Sequence, residues 1–375
     1  MQICHIASHK GNVGDLINHQ GFYNNMLPAE VSANIERIEL RDFYYSYNQR
    51  RVFDEHLARQ LNKCDLVVIG GGGYLDAQWP ESETGTTLSL SRQFIDSLST
   101  KVLVNAIGYH EYPGRTNASI CRKFSSFLGY VSQLDNWMVT VRNDGSYERL
   151  AFRYGETALH NIKKVPDNGF FCDLQKRLYL PKDRTVGMCI TNDLFCAEYN
   201  KGVQAVNFNQ YISTIINELC SIGYRIVLLP HTPPDIEIVG KLYSNISSQY
   251  KREKLVVAPL DANTSSAINR LNEYYNLCSC IIGMRFHSLI CAINLGIPAI
   301  ALAGHEQIEG LYRELSLSDY CVRVDNLSFR DKLFSMVDKC VSKSELIHAR
   351  YTDFYKKMNI EETSYKSTLL KFLQA

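Results

Sequence analysis

Residues 280–303 read Cys280-Ile281-Ile282-Gly283-Met284-Arg285-Phe286-His287-Ser288-Leu289-Ile290-Cys291-Ala292-Ile293-Asn294-Leu295-Gly296-Ile297-Pro298-Ala299-Ile300-Ala301-Leu302-Ala303, and this stretch decides the fold. A short apolar run ends at Gly283. An apolar helical segment follows and stops at Gly296, and Pro298 leads into a second apolar run. Strand, helix and strand in that order predict a parallel sheet with helices on its faces.

Working outward, the same alternation fills most of the chain. Candidate strands are Ile3–Ala7, Leu66–Gly70, Val102–Gly108 and Trp137–Val141, then Thr185–Ile190, Arg225–Leu229, Leu255–Ala258, Cys280–Gly283 and Ala299–Ala303. Helical periodicity lies between them, for example over Phe208–Ile222 and Ala267–Leu277. The pattern restarts near residue 183, after a strand-poor stretch, Asp173–Asp183, that reads as a linker. The expected domains are 1–178 and 179–345, both doubly wound and Rossmann-like, with a C-terminal helical segment over 346–375. With 375 residues the chain is long enough for two cores.

Composition narrows the function. Lysine and arginine number 40 against 39 aspartate and glutamate. That balance argues against bulk nucleic-acid binding, which needs a positive surface. The N-terminus, MQICHIASHKGNVGD, lacks a basic stretch followed by a long apolar run and does not read as a secretory signal. No segment approaches the ~20 apolar residues of a membrane-crossing helix, so a cytoplasmic protein is expected. The 12 cysteines are scattered and read as reduced, small hydrophobes. Cys278 and Cys280 stand too close for the usual zinc spacing. No metal and no cofactor are expected.

Open parallel sheets bind ligands beyond the carboxyl ends of their strands, so the residues just after strands carry the argument. His9-Lys10-Gly11-Asn12-Val13-Gly14-Asp15 follows the first strand. Its glycines permit a tight turn, and a helix starting near Leu16 would turn free amides toward an anion. Asn12 and Asp15 are cleft candidates, with Asp15 as helix cap or sugar-hydroxyl partner. Gly70-Gly71-Gly72-Gly73 follows an apolar strand and lets a ligand approach backbone amides. It lacks the Gly-Lys-Ser/Thr of a phosphate-binding loop of nucleotide hydrolases. A sharp turn against a helix would use the same glycines. Arg142 ends a strand and offers a fork matched to phosphate or carboxylate. A surface ion pair is the alternative. His231 and Asp235 flank a proline-fixed loop, where a structural histidine and a helix cap are equally compatible readings. In the opening stretch, Arg285 and His287 share a face if the segment is extended, and Ser288 is expected to cap the helix and add an anion donor.

In their order and separation, Gly11–Asp15, Gly70–Gly73, Val141-Arg142…Ser146, Gly283–Ser288 and Gly296-Ile297-Pro298 resemble the polysaccharide pyruvyl transferase family, from about residue 3 to about 315. The resemblance implies two Rossmann-like domains facing a cleft, as in GT-B glycosyltransferases. It implies phosphoenolpyruvate as donor and a pyruvate ketal on a cell-surface or exopolysaccharide sugar as product. The donor-binding set would be Arg285, Arg142, Ser288, Gly71, Gly72 and Gly73, with His287 as general acid on the enol carbon. The family often carries a lysine where this chain has Gln307, beside His305 and Glu306. Glutamine keeps hydrogen bonding and loses the charge, and His305 and Lys10 are the nearest substitutes. A lipid-linked acceptor would bring the protein to the inner face of the membrane, and homo-oligomers are compatible with the sequence. Two other readings fit the same motifs. One is a nucleotide-sugar glycosyltransferase, with Glu306 or Glu309 on the ribose. The other is a non-catalytic member of the fold.

Overall fold

The computed structural model describes residues 1–45, 49–176, 184–192, 205–264, 266–325, 329–342 and 344–375. The chain divides into two compact units. Unit 1 comprises Met1–His9, Phe22–Asn168 and Met358–Ala375; unit 2 comprises Lys10–Gly21 and Gly169–Lys357. The expected boundary at 178/179 and most of the expected linker lie outside the described residues. Sequence periodicity gave no sign that the first helix belongs with the second half of the chain.

Unit 1 is built on a six-stranded parallel sheet. Its strands are β1 (Gln2–Ala7), β2 (Asn34–Glu39), β3 (Leu66–Gly70), β5 (Lys101–Ile107), β7 (Trp137–Arg142) and β8 (Ile162–Val165), and β4 (Leu75–Ala77) and β6 (Tyr109–Glu111) pair separately. The spatial order is β2-β1-β3-β5-β7-β8. The chain therefore reverses its direction of travel between β1 and β3, and a crevice opens there at the carboxyl edge. Strands β3 and β7 are buried throughout, whereas edge strand β2 is mostly exposed. The register of β5 on β7 slips between Val104 and Ile107, and Ala106 takes a left-handed backbone (φ 44°). The Thr140 hydroxyl bridges this bulge, accepting from the Ala106 amide at 2.8 Å and donating to the Val104 carbonyl at 3.0 Å. The bulge turns Gly108 and His110 toward the end of β7.

Unit 2 carries a second six-stranded parallel sheet, of β9 (Thr185–Cys189), β10 (Arg225–Leu228), β11 (Leu255–Val257), β12 (Cys280–Gly283), β13 (Ala299–Ala303) and β14 (Cys321–Arg323). Its order, β11-β10-β9-β12-β13-β14, places the reversal between β9 and β12. The helices used below are α1 (Val13–Gly21), α2 (Glu55–Leu61), α3 (Arg92–Asp96), α4 (Ala118–Val131), α5 (Ser146–Tyr154), α6 (Ala205–Ser221), α7 (Pro233–Ser244), α8 (Ser248–Glu253), α9 (Ala267–Tyr275), α10 (Phe286–Leu295), α11 (Glu306–Glu314), α12 (Phe329–Ser342) and α13 (Glu345–Gln374). Helix α10 is buried along its whole length and ends on Gly296 in the left-handed conformation (φ 72°), a stop that only glycine takes without strain. Helix α1 packs on α9 and α10.

The end of α13 closes unit 1. Lys101 donates to the carbonyls of Phe372 and Leu373, both at 2.7 Å, so a cation meets the negative end of the helix. Tyr365 donates to the Asn105 side chain at 2.8 Å. Among the described residues, every cysteine is free, no group of His, Cys, Asp and Glu is arranged to hold a metal ion, and no helix is long and apolar enough to cross a membrane.

Candidate functional site

In unit 2 the segments after β9, β10 and β12 converge on Arg285. Its backbone is extended at the N-cap of α10, and its guanidinium grips Asp235 through two parallel bonds, Nε to Oδ2 at 2.7 Å and Nη2 to Oδ1 at 2.6 Å. The hydroxyls of Thr191, after β9, and Thr232, after β10, accept from Nη2 at 3.0 and 2.8 Å. Arg285 is thus fixed at the point where the strand order reverses, and its charge is balanced by a fully buried carboxylate. Burial alone would raise the Asp235 carboxyl. The Arg285 bonds and charge, with the His231 amide, outweigh burial and hold it below the usual carboxylate value.

Asp235 also organises its own loop. Its Oδ2 accepts from the amides of His231 at 2.9 Å and Thr232 at 3.1 Å, closing a capping box at the start of α7. His231 is fully buried, with Nε2 at 2.9 Å from the Tyr275 hydroxyl, which in turn donates to the Ser288 carbonyl at 3.2 Å. Burial pushes this imidazole down to about 3; the Asp235 carboxylate opposes the shift, and the Arg285 and His287 charges add to it. His231 is therefore neutral at ordinary pH.

His287, 8% exposed, stands in the first turn of α10. The loop of residues 10–14 lies against it. The Gly11 amide donates to the Ala262 carbonyl and the Asn263 side chain, both at 3.2 Å, and the Val13 amide to the His231 carbonyl at 3.1 Å. A Cβ on Gly14 would stand 2.6 Å from His287 Cβ and 2.7 Å from its Nδ1. Only a glycine lets this backbone reach the ring.

Several expectations are corrected here. The first helix begins at Val13, not Leu16, and Asn12 caps it, accepting from the Gly14 amide at 2.9 Å. Asp15 sits buried in the first turn instead. Ser288 does not cap α10. It lies inside the first turn, and its hydroxyl donates back to the Arg285 carbonyl at 2.7 Å. His231 and Asp235 do not line an open surface; both are fully buried. His305 caps α11 through Nδ1, which accepts from the Gln307 amide at 3.3 Å, while Gln307 is 7% exposed and Glu306 half-buried in the same first turn.

Unit 1 holds a second arginine cluster. Arg142, at the end of β7, is 3% exposed rather than projecting into solvent. Its Nε donates to Asp144 at 2.7 Å and its Nη1 lies 3.5 Å from Asp167. Asp144 also accepts from the Ser146 amide at 3.1 Å, from the Ser146 hydroxyl and from Arg149 at 3.5 Å, with His110 Nε2 at 3.9 Å. The glycine run ends against this cluster. A Cβ on Gly73 would lie 3.2 Å from His110 Nε2 and 3.8 Å from Arg142 Nη2. Gly70 has φ 140°, and any Cβ there would strike the Asn105 carbonyl at 2.4 Å. The Gly71 amide is spent on that carbonyl at 3.0 Å, which takes it out of the expected donor set; Gly72 gives room to the Tyr74 ring. Sequence reasoning missed Thr191, Thr232, His110, Asp144 and Asp167. Each stands within a few residues of a strand end, which is the signal that locates them.

Two six-stranded parallel sheets of this order define a pair of Rossmann-like units of the GT-B kind. UDP-GlcNAc 2-epimerase from Neisseria meningitidis, bound to UDP-GlcNAc, is similar with a TM-score of 0.56 at 12% identity, covering 99% of this chain and 100% of that one. HepE from Anabaena, in complex with UDP and glucose, gives 0.57 at 10% identity, with 100% of both chains covered. At such identities the likeness shows the fold alone. No curated protein matches the chain significantly. The family profile for polysaccharide pyruvyl transferase matches residues 20–306, and the chain belongs to that family.

Proposed function

We propose that this protein transfers a pyruvyl group from phosphoenolpyruvate to a sugar of a cell-surface or exported polysaccharide, closing a pyruvate ketal. The observation that carries the reading is the pairing of Arg285 and His287 at the N-terminus of α10, at the strand-order reversal of unit 2, in a chain of this family. A helix N-terminus favours a phosphate or carboxylate, and a fixed guanidinium beside it adds a directional donor.

Because Asp235 already balances Arg285, the donor is held less by a bare cation than by the helix end, the guanidinium edge and the imidazole of His287. In the reaction His287 protonates the enol CH₂ carbon, leaving an oxocarbenium-like centre at C2. A sugar hydroxyl adds there and loses its proton. A second hydroxyl displaces the phosphate, whose departure carries away the second proton. A general acid of this kind contributes ~10²–10⁴-fold in rate. Gln307 offers hydrogen bonds without charge at the family's lysine position, and His305, which caps α11, stands beside it. The acceptor is a glycan, carried on a lipid at the inner face of the membrane.

Calorimetry with phosphoenolpyruvate on the wild type and on Arg285→Ala tests the donor. Saturable binding that the variant loses supports the reading. Binding of a sugar nucleotide in its place overturns it in favour of a glycosyltransferase. Gly14→Ala tests the acid: its added methyl meets His287 Cβ and Nδ1 and displaces the ring, so turnover should drop about tenfold or more, the scale of one overpacked contact of 1–3 kcal/mol, and donor affinity should weaken with it.

A further inference from the structure

Unit 1 presents a group of aromatic side chains that the pyruvyl-transfer chemistry leaves unused. Tyr44 and Tyr45 follow the short helical turn Leu40–Phe43 at the carboxyl end of β2, and Trp79 follows β4. Together with Phe43, Thr86 and Thr87 they line a shallow crevice of about 20 Å³. That volume holds roughly one water, so a ligand here lies across the aromatic faces rather than inside a pocket. Tyr45 is 47% exposed, and Tyr44 and Trp79 are partly exposed.

The platform is held rigidly from beneath by Asp76. Its Oδ2 accepts from the Trp79 indole and from the Gln78 side-chain Nε2, both at 2.9 Å, and its Oδ1 accepts from the Thr87 backbone amide at 3.0 Å and from the Thr87 hydroxyl. The Trp79 amide donates to the Gly85 carbonyl at 3.2 Å, and Lys123 staples the same loop through the carbonyls of Pro80 and Ser82 at 2.7 and 2.9 Å. Phe43 is fixed by stacking on Phe53, with ring centroids 4.2 Å apart. A buried carboxylate with both oxygens committed to one loop is costly unless every bond is made. Here it fixes the angle of an indole at the surface.

The geometry points to an acceptor subsite: Trp79, Tyr44 and Tyr45 form a stacking platform for a pyranose ring of the glycan. The ring's C–H face lies on the aromatics, and the Thr86–Thr87 edge offers hydrogen bonds to its hydroxyls. Tyr44 and Tyr45 follow the carboxyl end of β2, and Trp79 follows Gly70–Gly73 by a few positions along the chain. An uncharged sugar face fits this lining better than an anion, because no cation lines the crevice among the described residues. The inference rests on the polysaccharide reading of the family and adds the place where the chain holds its acceptor.

The chain provides its own reporter. It has two tryptophans, and Trp137 is buried in β7, so saccharide contact should be read through Trp79. We would titrate gluco-, galacto-, manno- and N-acetylhexosamine oligosaccharides into the wild type, following tryptophan emission and heat together. A saturable emission change is expected with at least one of them. Trp79→Ala or Tyr45→Ala should weaken that binding by roughly tenfold, the size of one aromatic contact, with phosphoenolpyruvate affinity unchanged. Trp79→Phe should keep most of the affinity and lose the emission change. Heat of binding without an emission change overturns the subsite, as does unaltered affinity in Trp79→Ala, or silence from the whole panel. If saccharides bind as expected but phosphoenolpyruvate does not, the donor reading falls and the subsite stands.

Discussion

The two units use the same device and set it differently. Each places an arginine at the end of a buried strand and neutralises it with aspartate. In unit 1, Arg142 is 3% exposed, shares Asp144 with Arg149 and His110, and also meets Asp167. In unit 2, Arg285 is 11% exposed, paired with one aspartate and two hydroxyls. The first arrangement is a closed ion network in which removing one member strands several charges. The second is a single fork with an accessible edge. A buried network favours one rigid geometry, whereas a fork at a helix N-terminus can hold a ligand and release it. The difference gives unit 1 the more rigid charge network, and under the proposed function it leaves ligand exchange to the Arg285 site.

The largest effect should come from breaking the network. Asp144→Asn removes the anion that Arg142 and Arg149 share and leaves the buried Arg142 with Asp167 alone. The loss of one partner of such a pair costs about 3–5 kcal/mol. Asp235→Asn should cost about 2 kcal/mol, because the Arg285 charge keeps two hydroxyl acceptors and some water. Urea unfolding followed by Trp137, which lies on the same strand as Arg142, checks the first, and circular dichroism compares the two. Equal losses would erase the contrast between the units.

A smaller effect, graded by pH, sharpens the comparison. Each unit buries an imidazole that is held neutral, His5 in unit 1 and His231 in unit 2: burial pushes both from 6.5 to about 3. The folded protein keeps them neutral while the unfolded chain takes up a proton below 6.5. Stability is therefore full above that value and falls as pH drops toward 3, by about 1.4 kcal/mol per pH unit for each histidine. Asp235 acts in the same direction at the acid end: its lowered carboxyl stabilises the fold above the usual carboxylate value, and that contribution disappears as pH falls through its folded value. His231→Gln, which can still bond Tyr275, should remove about one proton from the pH dependence of unfolding between pH 6 and 4. An unchanged slope would show that His231 titrates normally.

How much of this was legible beforehand follows from burial. Every strand that the apolar runs marked is present, and those are mostly interior strands, with every residue of Leu66–Gly70 and Ala299–Ala303 buried. The missed strands of the two sheets, Asn34–Glu39, Ile162–Val165 and Cys321–Arg323, lie at sheet edges. There one side faces solvent and the residues are mixed, as in Asn34-Ile35-Glu36-Arg37-Ile38-Glu39, so hydrophobic pattern carries little signal. In the site, the chain motifs located Arg285, His287 and Gly14, because strand ends and glycines are local features. Their partners were illegible. That Asp235 would close on Arg285, 50 residues away, or that residues 10–14 would pack on His287, depends on tertiary contacts. Arg142 shows the limit from the other side: the sequence places it correctly at a strand end but cannot show that Asp144 and Asp167 bury its charge.

The smallest expected effect concerns Ser288, and it separates the fork from the helix end. As a cap, this serine would accept an amide hydrogen and face the ligand. Its hydroxyl instead donates to the Arg285 carbonyl within the turn, and Gly283 is kept bare because a Cβ there would lie 2.7 Å from that hydroxyl oxygen. Ser288→Ala should therefore cost about 1 kcal/mol of stability, the net worth of one hydrogen bond, and alter phosphoenolpyruvate affinity by less than about threefold. A tenfold loss of affinity with unchanged stability would return Ser288 to the binding surface. It would also mean that the first turn of α10 rearranges when the donor arrives, which would make the helix end, rather than the Arg285–Asp235 fork, the part of unit 2 that moves.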